Sequence, residues 1–299
     1  MKKMLFIMNP YSGTKKANKY LTEILELFNQ AGYDVTVRMT AGPGDGTAIV
    51  GRLAAGMDVV VCCGGDGTFN ETVSGLLKLG LDIPVGYIPS GSTNDFAASL
   101  HLPGEPLDAA RNIVEGTPVA YDAGDFGGRF FSYVASFGAF TKSSYATPQE
   151  IKNALGHTAY VLESISELSE IRAEHVSLQI GDEKVEDDFL FGAICNSTSV
   201  GGVLSLDPGQ VDMADGKLEV LLVRAPASLL EVAECIQAVQ SQHYNDCAMI
   251  TFRSASRIDI TADPEMVWTL DGEREDGHEF VTVRNRHLAY RLMKRSGNA

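Results

Sequence analysis

One carboxylate among glycines is the first residue in this chain that could do chemistry: Asp66 in Gly64-Gly65-Asp66-Gly67-Thr68. Glycines let backbone N–H groups approach an anion without Cβ obstruction, and a helix starting just after them adds unpaired donors and a favourable dipole. A carboxylate beside phosphates repels them unless a cation lies between, which makes Asp66 a candidate magnesium contact, directly or through water. Taken alone, Gly-Asp-Gly is more simply a solvated turn with a helix-capping Asp or Thr. Two other polar, turn-rich stretches share its setting, Asn9-Pro10-Tyr11-Ser12-Gly13 and Pro89-Ser90-Gly91-Ser92-Thr93-Asn94-Asp95-Phe96. Two acidic stretches come late, residues 207–217 and Asp271-Gly272-Glu273-Arg274-Glu275-Asp276-Gly277.

Each early loop follows an apolar run, and these runs predict the elements that must position the loops. Strands are predicted over residues 4–8, 33–40, 58–63 and 83–89. Helical patterns cover 16–30, 45–55, the segment from the glycine loop to Leu79, and 106–116. Strands alternating with helices of ten or more residues imply parallel βαβ units with right-handed crossovers. The three loops then emerge at strand carboxyl ends, the edge of an open α/β sheet where ligands bind. After residue 119 strands dominate: 119–125 and 129–140 around Gly127-Gly128, then 175–180, 188–196, 218–223, 249–252, 257–261, 268–270 and 280–284. Helical stretches over 148–168 and 226–240 interrupt them. The predicted class is α/β. An N-terminal open parallel-sheet domain takes residues 1–121, with about 287–299 returning to it, and a mostly antiparallel β-sandwich domain takes 122–286.

Composition excludes some partners. Lys plus Arg number 24 against 39 Asp plus Glu, a formal net charge of −15. That balance argues against nucleic acid and against a membrane surface held mainly by electrostatics, while a local basic or apolar face could still touch lipid. The five cysteines, Cys62, Cys63, Cys195, Cys235 and Cys247, make no CxxC pair or metal-ligand spacing and fit reduced cytosolic thiols. The apolar start stops at Asn9-Pro10, too short for a signal peptide, and no apolar run of about 18 residues follows. The expectation is a cytoplasmic protein with no transmembrane segment.

Two common nucleotide signatures are missing. No G-x-x-x-x-G-K-[ST] occurs, and Gly42-Pro43-Gly44-Asp45-Gly46-Thr47 lacks the third glycine of the dinucleotide fingerprint. What remains is an ordered set: Asn9-Pro10-Tyr11-Ser12-Gly13, Gly64-Gly65-Asp66-Gly67-Thr68-Phe69-Asn70-Glu71, the block from Pro89 to Phe96, and Asp271-Gly272-Glu273. In this set the chain resembles the diacylglycerol kinase catalytic family of lipid kinases, in its soluble bacterial form, across essentially its whole length. The resemblance implies that the glycine loop binds ATP phosphates between an α/β domain and a β-rich domain, and that ATP and Mg2+ are cofactors. NAD kinases share the glycine loop, but Phe69-Asn70-Glu71 and Pro-Ser-Gly-Ser-Thr-Asn-Asp-Phe look like the lipid-kinase version.

For ATP the resemblance points to Asn9, Ser12, Gly13, Thr40, Gly64, Gly65, Asp66, Gly67, Thr68, Glu71, Ser92 and Thr93. Hydroxyl, amide and backbone N–H donors are what phosphate oxygens require. Lys15 and Lys16 could add charge or be ordinary surface lysines at a helix start. Glu273 is the expected general base, because a weakly acidic hydroxyl needs a carboxylate to take its proton as the bond to phosphorus forms. Without the upstream motifs the same stretch would read as an acidic hairpin loop. Asp271 could support Glu273 or contact a magnesium-bound water. Asp122 could join Asp66 at the metal, with Asp125 its nearby competitor. Asp212, Asp215 and the backbone carbonyl near Lys217 resemble a loop that holds a second, structural magnesium, and alone would read as an acidic turn. Phe140, Tyr145, Leu155, Tyr160 and Leu162 either line an acyl cleft or, more simply, pack as helix core.

The function so implied is transfer of the γ-phosphoryl of ATP to the free hydroxyl of diacylglycerol, giving phosphatidic acid. The lipid would be met at the inner membrane surface from the cytoplasm. Sphingoid bases, phosphatidylglycerol and isoprenoid alcohols stay open as acceptors, and a homodimer is implied by resemblance only. An NAD kinase and a non-catalytic nucleotide- or lipid-binding module are the alternatives.

Overall fold

Strands covered on both faces must be apolar at nearly every position, and the first strands of this chain are. In a computed structural model, which describes residues 1–13, 16–92, 94–138, 173–200, 204–226 and 228–296, β1 (Lys2–Met8), β2 (Tyr33–Met39), β3 (Val59–Gly64) and β4 (Val85–Pro89) form a parallel sheet in the order β2-β1-β3-β4. Six helices accompany them: α1 (Lys16–Lys19), α2 (Leu21–Gln30), α3 (Asp45–Leu53), α4 (Asp66–Leu79), α5 (Asp95–Ser99) and α6 (Pro106–Glu115). Residues 16–30, predicted as one helix, divide at Tyr20, and α5 was not anticipated. On one face of the sheet Ile24 and Phe28 of α2 and Ala109 and Ile113 of α6 pack on Met4, Phe6, Val61 and Ile88. Neighbouring side chains of a strand alternate faces, so Tyr87 beside Ile88 serves another cluster. There Phe69 of α4 lies 4.8 Å from Tyr87 and stacks on Phe96 at 4.5 Å. Fully burying such a ring contributes about 2–3 kcal/mol.

The later strands pair antiparallel with one another, and the last of them also meets β4 in parallel at Leu292 and Val85. They are β5 (Thr117–Phe126), β6 (Arg129–Phe131), β7 (Val134–Gly138), β8 (Glu174–Ile180), β9 (Glu183–Cys195), β10 (Ser199–Val200), β11 (Leu204–Ser205), β12 (Leu218–Arg224), β13 (Ile250–Ala255), β14 (Arg257–Ala262), β15 (Trp268–Leu270), β16 (Glu273–Glu275) and β17 (Phe280–Lys294), with α7 (Leu229–Ser241) after β12. The thirteen-residue β9 is shared: residues 183–189 pair with β8, while its last residues pair with β7 and β12. Phe126, Phe131, Phe137, Phe189 and Trp268 fill the core between these strands. Two sequence expectations shift here. The strand predicted over 129–140 is interrupted after Phe131, and the strand predicted to end at residue 284 runs to Lys294. The helix predicted over 148–168, with Phe140, Tyr145, Leu155, Tyr160 and Leu162, lies outside the described residues.

The chain divides into two compact units, Met1–Ala123 with His287–Ala299, and Gly124–Arg286. It leaves the first unit within β5 and returns within β17. The fold class is α/β as predicted, with a parallel N-terminal sheet and an antiparallel β-sandwich. No helix among the described residues is long and apolar enough to cross a membrane.

Candidate active site

The three polar loops of the first unit touch one another. Asn9 Nδ2 donates to Thr68 Oγ1 at 3.4 Å, which links the first loop to α4. Ser12 and Ser90 share a hydroxyl hydrogen bond at 2.9 Å, which links it to the loop after β4. Their backbones approach so closely that side chains would not fit. Gly13 has φ +48, and a Cβ there would lie 2.4 Å from the Ser90 carbonyl oxygen; a Cβ on Gly91 would lie 2.6 Å from Gly65 Cα. Beyond Gly91, Asn94 in the left-handed region accepts from Gly91 N–H at 2.7 Å and donates back to its carbonyl at 3.1 Å. Among the described residues no side chain caps the fourteen-residue helix α4, whose N-cap is Gly65. Its first-turn N–H groups therefore open toward the loops, an arrangement suited to an anion. Thr40 is buried at the end of β2, its N–H bonded to Met8 O at 2.9 Å, and Ser92 is exposed. Thr93 and Lys15 lie outside the described residues, as does the side chain of Lys16.

The acids predicted at this edge are occupied within the fold. Asp66, 8% exposed, accepts the N–H groups of Asp95 at 3.1 Å and Phe96 at 3.4 Å, and Tyr87 Oη at 3.4 Å. It thereby holds the start of α5. Burial first, and the nearby Asp95 charge second, push its pKa up to about 6. Glu71 accepts Gly44 N–H at 2.6 Å and Gly46 N–H at 2.8 Å, fixing the start of α3. Asp122 is fully buried, its Oδ1 accepting Leu288 N–H at 2.7 Å beside His287 Nδ1 at 3.1 Å. Asp125 belongs to the other unit, where it accepts from Arg286 and from Gly128 N–H.

In the second unit Asp271-Gly272 is a two-residue turn joining β15 to β16. Both residues have positive φ, +48 and +82, and Leu270 pairs with Glu273 across it. An Asp-Gly pair suits such a hairpin turn. Asp271 is buried and accepts three backbone N–H groups, from Ser132 at 2.6 Å and from Tyr133 and Val134 at 3.0 Å. This grip is what interrupts the strand predicted over 129–140. Glu273 differs: its side chain is 41% exposed, and its Oε2 accepts from Arg129 Nη2 at 2.8 Å. Arg129 also bonds the Arg274 carbonyl at 2.9 Å and the Glu275 carboxylate. The sequence reading missed Arg129, although its place just after the Gly127-Gly128 turn was visible.

The acidic loop before β12 is tightly turned. Asp212 accepts Ala214 N–H at 3.0 Å, Asp215 accepts Lys217 N–H at 2.8 Å, and the Lys217 carbonyl accepts from Asn285 at 2.8 Å. Glu219, also missed, is the informative residue. It is 1% exposed with Oε2 lacking a hydrogen-bond partner, and burial, then Asp215, then Asp212, push its pKa up to about 8. A buried carboxylate with one oxygen left unpartnered, close to two more acids, is a ligand set that suits a hard cation. Among the described residues no three His, Cys, Asp or Glu side chains already converge as a metal cluster.

The hydroxyls, glycines and uncapped start of α4 gathered in the first unit are the groups that phosphate oxygens require. Residues 3–126 match the diacylglycerol kinase catalytic domain, and residues 136–288 match the YegS C-terminal NAD kinase beta sandwich-like domain. A diacylglycerol kinase of Bacillus subtilis (strain 168) is 32% identical over 276 residues, covering 91% of this chain and 90% of that protein. One from Staphylococcus saprophyticus is 28% identical over 273 residues, covering 91% and 89%. The fold matches a crystal structure of a diacylglycerol kinase from Bacillus anthracis with a TM-score of 0.75 at 21% identity, covering 98% of this chain and 97% of that one. The chain belongs to the diacylglycerol kinase family of lipid kinases.

Proposed function

We propose that the protein is an ATP- and magnesium-dependent kinase that phosphorylates the free hydroxyl of diacylglycerol to phosphatidic acid. The observation that carries this reading is the convergence of the Asn9–Gly13, Gly64–Thr68 and Ser90–Asn94 loops at the uncapped start of α4. The triphosphate of ATP fits there, held by backbone N–H groups and by Ser12, Thr68 and Ser90; the assignment of Thr93 rests on the family resemblance alone. Glu273 takes the proton of the lipid hydroxyl as that oxygen bonds to the γ-phosphorus, and the electrons of the breaking P–O bond leave with ADP. Magnesium, when bound, neutralises charge on the phosphates. Asp66 can reach such an ion through water, since its oxygens already accept three donors. Asp122, fully buried, positions the backbone at Leu288. A second magnesium fits Asp212, Asp215 and the Lys217 carbonyl, with Glu219 beneath them.

Family membership supports a lipid acceptor, met by peripheral contact with the inner membrane surface from the cytoplasm, and a homodimer. Purified protein given labelled ATP, magnesium and mixed-micelle diacylglycerol should yield labelled phosphatidic acid. A panel of sphingoid base, phosphatidylglycerol and isoprenoid alcohol ranks the acceptors. Transfer to NAD with none to any lipid would overturn the reading.

A further inference from the structure

Glu273 and Glu275 sit two residues apart on β16, so their side chains leave the same face of the strand. Two like charges on one face repel and would splay apart unless a cation lies between them. Arg129, from β6, supplies it. One guanidinium nitrogen, Nη2, meets Glu273 Oε2 at 2.8 Å, while Nη1 bonds both the Glu275 carboxylate and the Arg274 carbonyl, the latter at 2.9 Å. The planar fork is thus fixed at one end to backbone and to Glu275, whose side chain is 19% exposed, and at the other end to Glu273. Among the described residues Glu273 Oε1 has no hydrogen-bond partner, and the side chain is 41% exposed.

We propose that Arg129 is a positioning residue for Glu273, holding Oε2 so that Oε1 is presented to the lipid hydroxyl. This rests on Glu273 being the base, as proposed above. A carboxylate on three rotatable bonds samples many rotamers, and a base must lie within hydrogen-bond reach of the proton it removes. Fixing one oxygen removes most of that freedom without occupying the other. Sharing the guanidinium with Glu275 also keeps its charge from being committed to Glu273 alone. A lysine would carry the charge without the fork.

Diacylglycerol kinase turnover in mixed micelles tests this with the whole protein. Arg129→Met should lower kcat at least tenfold while leaving KM for ATP within twofold. Arg129→Lys should recover only part of the loss, and methylguanidinium added to Arg129→Ala should restore turnover. In a Glu273→Gln background Arg129→Met should cost little more, because it acts through Glu273. Equal losses in both backgrounds, or unchanged kcat in Arg129→Met, overturn the inference while leaving the base assignment standing. If Glu273→Gln retains full turnover, the base assignment itself fails. A substrate-free reading comes from arginine-selective 15N spectra. The Nη protons of Arg129 should be resolved by slowed rotation in the wild type and averaged in Glu273→Gln and Glu275→Gln; averaging already in the wild type overturns the inference. That reading stands even if a variant folds poorly or no lipid is phosphorylated.

Discussion

The glycine edge of the first unit and the Asp271–Glu275 hairpin of the second each carry an acid in a turn, but the roles fall differently. At the glycine edge the acid is buried: Asp66 accepts Asp95, Phe96 and Tyr87, while the start of α4 keeps its N–H donors free of a side-chain cap. In the hairpin the buried acid, Asp271, accepts three backbone N–H groups, and the neighbouring Glu273 is left half-exposed as an acceptor. In both places the buried carboxylate fastens backbone. A donor-rich surface suits phosphates, and an exposed acceptor suits a hydroxyl proton.

The largest effect that could break this contrast is on turnover. Glu273→Ala should lower kcat by roughly 10²–10⁴-fold, the usual range for a positioned base, with a melting temperature near that of the wild type because the side chain is half-exposed. Asp271→Ala should do the reverse in kind. It strands three backbone donors in the core, and unfolding in denaturant should show a loss of about 4 kcal/mol. A loss below 1 kcal/mol would mean that Asp271 is no fastener.

Asp66 gives a sharper test through pH. Its folded pKa, about 6, lies above its ordinary 3.8, so the folded state binds the proton more tightly than the unfolded chain does. Stability from this group is present below about pH 4 and is lost as pH rises through 6, a change on the order of 3 kcal/mol. Asp66→Asn removes the titration. The difference in unfolding free energy between wild type and variant should therefore move in the variant's favour between pH 4.5 and 7.5, and a constant difference would refute the buried setting of Asp66. The smallest effect concerns the acidic loop. Magnesium at ten times its dissociation constant should stabilise the wild type by roughly 1.4 kcal/mol. Thermal shifts should show that gain lost in Asp215→Asn and reduced in Glu219→Gln.

Much of the scaffold was legible because it follows periodicity. The buried parallel strands, the helix from Asp66 to Leu79 and the strand Trp268–Leu270 stand close to where apolar runs and turn residues put them. The convergence of the three loops was also legible, since parallel strands bring their carboxyl ends to one edge. Long-range polar contacts were not. Nothing local in the sequence says that Asp271 grips Ser132, Tyr133 and Val134, that Glu71 caps α3, or that Arg129 reaches across to Glu273. Glu219 was missed because alternation in β12 does not reveal a polar residue turned inward. The division of labour between buried and exposed acids depends on burial, which motif spacing does not encode.

The most direct measurement pairs ATP binding with phosphoryl transfer in Glu273→Gln. If the first unit holds the nucleotide and the second supplies the base, Kd for ATP should stay within twofold of the wild type while transfer to diacylglycerol falls at least 100-fold. Loss of ATP binding together with turnover, or turnover that survives, would contradict the account.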